Sequence, residues 1–334
     1  MRTNECGGFP MAGSDFSLYQ SWFHALVENI GQVVKGKTNE VGMVVLALFA
    51  EGHVLLEDNP GTGKTTLAKS LAASVKGSWN RVQFTPDLLP ADVTGGMVFR
   101  QQDGTFQFHP GPIFANVVLA DEINRASPKT QSALLQVMEE GQVTVDGQTM
   151  DVPKPFVVMA TQNPIEQEGT YRLPEAQLDR FMVKLSLGYP DHDAEVAMLE
   201  SVGAGRRPAD IAPIVDISVV GQMVAGVRQV HLEDQMRSYI VRLCTYTRDA
   251  RTMPEVRLGA SPRGAVALMA MARASAAAQG RGYVNVDDVR DVAPFVLAHR
   301  LLLTPDSELR NVDPQSLVRR AVQEVEAPAP MRVG

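Results

Sequence analysis

The sequence of 334 residues contains two cysteines, Cys6 and Cys244, far apart and without C-x-x-C spacing. That excludes a disulfide framework and a thiolate zinc site as organising devices, and it fits a reducing, cytoplasmic setting. The six histidines show no metal-ligand spacing: His53, His109, His192, His231 and His299 fall in separate elements, and His24 belongs on the surface of an N-terminal helix. No run of four basic residues occurs and the net charge is −7, so nucleic acid is not the expected partner. The longest apolar stretch, VGMVVLALFA at 41–50, is too short to span a bilayer. It predicts a buried helix, and no membrane insertion is expected. The opening MRTNECGGFPMAGSD lacks the hydrophobic segment of a signal peptide. Residues 1–16 are expected to be a disordered leader, and 327–334 (APAPMRVG) a disordered tail.

What is present is an ordinary globular composition, 45% hydrophobic and 21% charged, on a chain long enough for two domains. Between residues 53 and 187 short apolar runs alternate with helical patterns, which predicts a parallel sheet with crossover helices. The strands are HVLLE (53–57), RVQFT (81–85), VVLAD (117–121), FVVMAT (156–161) and MVKLSL (182–187). TTLAKSLAASV places Leu67, Ala68, Leu71, Ala72 and Val75 on one helical face. SPKTQSALLQVMEEG reads as a helix capped by Ser127, started by Pro128 and stopped at Gly141. Two segments interrupt the alternation, MVFRQQDGTFQFHP (97–110) and QVTVDGQTMDV (142–152). Each sets Asp-Gly between period-two runs, the signal of a hairpin whose two central residues take positive φ. From YPDHDAE (189–195) onward helical periodicity takes over. Met236, Tyr239, Ile240 and Leu243 line one helix, an Ala/Met-rich helix follows Ser261-Pro262, and a last one opens at Asn285, kinked by Pro294. The expected organisation is an α/β core over 17–190, a connecting segment over 191–212 and a small all-α domain over 213–326.

Chemistry enters at LLEDNPGTGKTT (55–66), after an apolar strand and before a helix. A phosphate loop, G-x-x-x-x-G-K-[ST], needs backbone N–H groups around the anion, a lysine on the β/γ oxygens and a hydroxyl for Mg²⁺. Asn59, Pro60, Gly61, Thr62, Gly63, Lys64, Thr65 and Thr66 supply that loop, with Lys64 and Thr65 in the two side-chain roles. Asp58 stands where the pattern has its first glycine. It is read as a tolerated substitution, because Asp accepts left-handed backbone and its carboxylate can turn away from the anion. The third strand ends in Asp121-Glu122: an Asp there holds Mg²⁺, with Thr65, and a Glu beside it can deprotonate the attacking water. The fourth ends at Asn163, a neutral amide able to hold the water or the γ-phosphate, although capping a turn before Pro164 is the plainer use of such a residue.

These three motifs, in this order, resemble the AAA+ ATPases. LLEDNPGTGKTTLAKSLA, VQFTPDLLPADVTG, PGPIFANVVLADEINRASPKTQSALLQVMEE, VMATQNPIEQEGTYRLPEAQLDRF and GASPRGAVALMAMARA are further similar to consecutive blocks of the MoxR family, covering most of residues 30–305. The resemblance implies a Mg²⁺-dependent ATPase whose core bears hairpin inserts and whose helical domain is a lid. By motif, Arg180 matches the arginine finger that reaches a neighbouring subunit's ATP, and Arg263 a second sensor on the γ-phosphate. The plain alternative for Arg180 is an ion pair with Asp179 or Glu175. Arg263 has a physical argument of its own, since a cation in the first turn of a helix is unfavourable unless an anion offsets it. The resemblance also implies adenine near Val34 and Gly36, a ring of identical subunits, hexameric by expectation, adaptors with von Willebrand factor A domains, and protein clients. Two uses of Phe106 and Phe108 stay open: gripping polypeptide in a pore, or packing the hairpin on its own domain. Three other functions share the core: a nucleotide-gated switch with slow turnover, a chelatase-type ATPase subunit, and a DNA-acting motor, which the acidic balance argues against.

Overall fold

The computed structural model describes residues 15–59, 61–102, 104–163, 171, 173–203 and 211–328. Pro60, Asp103, residues 1–14 of the expected leader and 329–334 of the expected tail lie outside them. Five strands, β1 (Val54–Glu57), β2 (Trp79–Gln83), β3 (Val117–Asp121), β4 (Val157–Gln162) and β5 (Val183–Leu185), form a parallel sheet in the order β5-β1-β4-β3-β2. Because all five run the same way, the loops after β1, β3 and β4 share one edge of the sheet. Strand β2 opens two residues before its expected start, since Trp79 and Asn80 pair with Val117 and Val118. The residues Phe84 and Thr85, expected in the strand, follow it.

Residues alternate between two cores. Val54, Leu56, Val117, Leu119, Val157 and Met159 enter one; Leu55, Val118, Ala120, Val158 and Ala160 enter the other. Burial on both faces is why these strands read as unbroken apolar runs. Helices α1 (Ser17–Gly31), α2 (Thr38–Phe49) and α3 (Lys64–Ser74) close the first face, α2 being the buried helix expected from 41–50. Helix α4 (Pro128–Glu140) closes the second through Leu134, Leu135, Val137 and Met138. It begins and ends as its sequence dictates: the Ser127 side chain accepts from the Thr130 N–H, and Gly141 takes φ +66°.

The second hairpin, Gln142–Val145 with Gln148–Asp151, turns on Asp146 and Gly147 alone, at φ +49° and +78°. This is the expected two-residue turn. The first hairpin, Gly95–Arg100 with Thr105–Pro110, is present as expected, with Gly104 at φ +65°, but its turn is wider. Its strands are longer and their pairing ends at Arg100–Thr105, where Gly104 N–H closes on the Arg100 carbonyl at 3.0 Å. Phe108 packs edge-on to Phe114 of the core, centroids 5.6 Å apart, while Phe106 stands 66% exposed against Phe99. The open choice between them thus divides: Phe108 anchors the hairpin and Phe106 is presented to solvent.

Beyond the sheet lie α5 (His192–Gly203), within the expected connecting segment, then α6 (Ile217–Val227), α7 (Asp234–Tyr246), α8 (Pro262–Ala278), α9 (Val286–Leu297) and α10 (Pro314–Glu324). Met236, Tyr239, Ile240 and Leu243 of α7 are buried, as their spacing required. Asn285 and Asp288 cap the start of α9 reciprocally and Pro294 sits inside it, but α10 follows, so α9 is not the last helix. A short ribbon, Val256–Leu258 with Leu302–Leu303, joins the helical part. Met271 is fully buried and Met269 partly so; both fill the core around α8. Helix α8 packs on α1 and α2, so the lid and the first face of the sheet share one core.

Candidate nucleotide site

After β1 the chain turns through Gly61 at φ +82° and Gly63 at φ +92°, and α3 begins at Lys64. Only glycine takes these angles without strain, and a Cβ built at either would meet no atom within 4 Å. The space over the loop is therefore open, as the close approach of a phosphate requires. The Lys64 ammonium donates to the carbonyls of Asp58 and, at 3.2 Å, Asn59. The Thr62 hydroxyl braces the same turn by donating to Asn59 O at 3.1 Å. Thr66 continues the first turn of α3.

Asp58 does turn away from the anion, but for a different reason from the one expected. Its backbone is not among the left-handed residues. Instead its buried carboxylate accepts the backbone N–H groups of Leu187 and Gly188, the latter at 3.0 Å, and the Ser186 hydroxyl at 3.1 Å. The residue ties the phosphate loop to the exit of β5. Beyond that exit, Lys37 donates to Tyr189 O at 2.9 Å, and a Cβ on Gly36 would come within 2.7 Å of Ala194 Cβ. Val34, buried, precedes that contact, so Val34 and Gly36 lie where α1–α2 meets the segment leading into α5.

Asp121 lies next to Thr65, whose hydroxyl donates to its Oδ2 at 3.4 Å. Thr161 donates to the other oxygen at 2.6 Å and accepts the Glu122 N–H at 2.8 Å. Those bonds hold Glu122 at φ +56°, ψ +50°, a backbone that costs a non-glycine residue roughly 1–3 kcal/mol. Strain of this kind persists only where the surroundings over-determine it. The Glu122 carboxylate accepts from Gln83 Nε2 at 2.7 Å and Arg125 Nη1 at 2.8 Å, and Arg81 grips Asp121 through Nη2 at 2.6 Å and Nε at 3.1 Å. Asn163, also buried, follows β4 and receives Asn124 Nδ2 on its backbone carbonyl at 3.3 Å. The loop, Asp121, Glu122 and Asn163 thus share one edge of the sheet. The open glycine turn and the Thr65–Asp121 pair fit a triphosphate with Mg²⁺.

Sequence reading missed Arg81, Gln83, Thr161 and Arg125. The register supplies the signal: Gln83 pairs with Asp121 and Ala120 with Ala160, so strand ends rich in polar groups face each other there.

Arg180 and Arg263 lie elsewhere. They line a cavity of about 450 Å³ with His53, Met182 and Arg300. His53 precedes β1 and Met182 precedes β5, so this cavity sits at the opposite edge from the loop. Within one chain Arg263 faces away from the phosphates. Arg180 makes neither anticipated ion pair: Asp179 is held by Arg300 at 2.7 Å and by the Ser261 hydroxyl at 2.7 Å. Both arginines bond to Glu139, Arg180 Nη2 to Oε2 at 3.0 Å and Arg263 Nη2 to Oε1. The anion that offsets Arg263 in the first turn of α8 is therefore Glu139 in this chain.

A parallel 5-1-4-3-2 sheet with this loop and an Asp-Glu pair, followed by a helical lid, defines an AAA+ ATPase. The family described as "ATPase family associated with various cellular activities" matches residues 53–183, and "AAA lid domain" matches 248–321. The chain is 46% identical to Bacillus subtilis YeaC, with 93% of this chain and 97% of that protein covered. It is 39% identical to Chaperone MoxR1 of Mycobacterium tuberculosis over 90% of this chain and 80% of that one. A solved structure of a candidate ATPase from Cytophaga hutchinsonii superposes with a TM-score of 0.87 at 35% identity, covering 94% and 97% of the two chains. The chain belongs to the MoxR family of AAA+ ATPases. No helix among the described residues is long and apolar enough to cross a membrane.

Proposed function

We propose that the protein hydrolyses ATP between subunits of a homo-oligomer and uses the cycle to remodel or mature client proteins. One observation carries this reading: the phosphate-loop edge holds Lys64, Thr65, Asp121 and Glu122, while Arg180 and Arg263 stand together at the other edge. Two cations unable to serve their own loop can serve a neighbour's if copies pack edge to edge. A closed ring satisfies every such interface at once, because a head-to-tail contact repeats until it closes. Six is the number the family suggests.

In this reading the loop amides and Lys64 hold the phosphates, Thr65 and Asp121 hold Mg²⁺, and Val34 and Gly36 border the adenine. Bound Mg²⁺ would neutralise charge developing on the phosphoryl oxygens. Glu122 orients the attacking water and takes its proton, and Asn163 fixes the water's position. Arg180 and Arg263, from the adjacent copy, stabilise the charge that builds toward the leaving group. Adaptors with von Willebrand factor A domains, protein clients and a cytoplasmic setting complete the reading on the family's pattern.

The test is a mixing experiment. Glu122→Gln should bind ATP and fail to turn it over; Arg180→Ala should be inactive as a pure assembly. Mixed, the two should regain activity, because an Arg180→Ala subunit keeps an intact Glu122 site and its Glu122→Gln neighbour supplies Arg180. Wild-type turnover by pure Arg180→Ala, or a mixture no better than its parts, overturns catalysis across the interface.

A further inference from the structure

The cavity at the second edge contains an arrangement that motif matching does not explain. Glu139 lies in the last turn of α4, where the helix dipole is negative and a carboxylate is disfavoured. Glu140 beside it is engaged by Gln136 on the same helix. Glu139 instead divides its two oxygens between two guanidiniums from distant parts of the chain: Oε2 to Arg180 and Oε1 to Arg263. Arg180 keeps an Nε–H that is buried and has no hydrogen-bond partner. A buried donor without an acceptor costs about 1–3 kcal/mol, and Arg180 shares this feature with Arg273, Arg290 and Arg320.

We infer that Glu139 is a positioning residue for the trans-acting pair. By pairing with the Arg180 guanidinium and accepting an N–H from Arg263, it sets the two guanidiniums side by side, with their remaining donors turned to one phosphoryl group of the adjacent subunit. Arginine alone is a poor candidate for such placement. Each side chain carries several rotatable bonds, and two like charges repel unless a carboxylate lies between them. Asp179 fixes the backbone from which Arg180 springs, through its pair with Arg300 and its bond from Ser261. Glu139 then fixes the far end. The geometry joins core and lid as well, because Arg180 follows Asp179 in the core whereas Arg263 opens α8. A lid displaced from the core would break the pair, so the arginines are presented together only when the two parts are docked.

This inference rests on the proposed catalysis across the interface, and its test is built to fail separately from it. Glu139→Gln, Arg263→Ala, the double variant and Arg180→Ala are compared with wild type at concentrations where the protein assembles. Misplacing a catalytic group costs on the order of ten- to a hundred-fold in rate. Glu139→Gln is expected to lower kcat about tenfold while leaving KM for ATP and assembly size close to wild type. Glu139→Asp, which keeps the charge, should recover part of the loss. The double variant should be no slower than the slower single variant, because Glu139 acts through the arginines. A wild-type kcat for Glu139→Gln while Arg180→Ala is inactive overturns the positioning role and leaves the interface reading intact. Fully additive losses in the double variant overturn it too. Full activity in Arg180→Ala removes the interface reading itself.

Discussion

The two edges of the sheet differ in how they are built. At the phosphate-loop edge the chemistry sits at strand ends and converges on one carboxylate: Thr65 after β1, Arg81 in β2 and Thr161 in β4 all bond to Asp121. At the opposite edge the groups come from helices and the segments that flank them. Glu139, Asp179, Arg180, Arg263 and Arg300 come from α4, the approach to β5, α8 and the segment after α9. The first edge gathers its groups at the strand ends of one sheet, whereas the second is also the junction that docks the lid. Substitutions at the first should therefore change function with little effect on stability, and substitutions at the second should change both.

The largest expected stability effect tests that division. Arg300 is only 3% exposed, and it pairs with Asp179 while donating to the carbonyls of Asp179 and Phe181 at 2.9 and 2.7 Å. Burial lowers the Arg300 pKa and Asp179 opposes that shift, so the pair is what keeps a charge acceptable there. Asp179→Ala leaves the charge uncompensated, a change that costs about 3–5 kcal/mol for buried pairs. Lys64→Ala, whose ammonium bonds to carbonyls of its own loop, should cost less than about 1 kcal/mol and abolish ATP binding. Guanidinium unfolding and labelled-nucleotide binding on both variants check this; equal stability losses would erase the distinction between the edges.

A second effect at the same junction depends on pH. His53 is fully buried: its Nδ1 accepts the Val158 N–H at 3.0 Å, which leaves Nε2–H to donate to Met138 O at 3.0 Å. Desolvation, opposed by the Met138 bond, lowers its pKa from 6.5 to about 4. Folding thus favours the neutral ring. The stability it contributes is complete above about pH 6.5 and is lost as pH falls toward 4, on the order of 3 kcal/mol in all. His299, partly buried and beside Arg300, is lowered well below its ordinary value by desolvation first and by that charge, and it adds loss in the same direction. Unfolding free energies measured from pH 7 to 4 should decline, and His53→Gln should flatten the decline without removing it. An unchanged slope in His53→Gln would assign the pH dependence to other groups.

The sequence made one edge far more legible than the other. A strand, a glycine turn and Lys-Thr need only about a dozen adjacent residues, so the loop could be read directly, as could Asp121-Glu122 at the end of an apolar run. The central strands β1, β3 and β4 were legible for the same reason, because burial on both faces leaves them nearly uninterrupted by polar residues. Arg81 and Thr161 were not, since their partner lies forty residues away and only strand register brings them together. Arg180 and Arg263 could be named by resemblance, but Glu139 between them could not. On α4 it is one of two adjacent glutamates, and periodicity gives no reason to separate it from Glu140. The first hairpin was legible too, with Gly104 at φ +65°, but its turn is wider than the Asp-Gly signal implies, because pairing stops at Arg100–Thr105.

Asp58 provides the smallest test and the finest one, because it belongs to the phosphate-loop edge yet acts structurally. Its carboxylate accepts from Leu187, Gly188 and Ser186 and does not face the phosphates. Asp58→Asn keeps the shape but loses the charge that strengthens these bonds. Neutral hydrogen bonds contribute about 1 kcal/mol less than charged ones, so a loss of about 1–2 kcal/mol is expected. Asp58→Gly matches the loop pattern and yet should be worse, since it removes all three acceptor contacts and adds backbone freedom to the unfolded chain. ATP affinity should stay within a few-fold of wild type in Asp58→Asn. A large loss of affinity with unchanged unfolding would mean that the carboxylate serves the nucleotide, and the loop-edge residues would then all be functional rather than divided between chemistry and support.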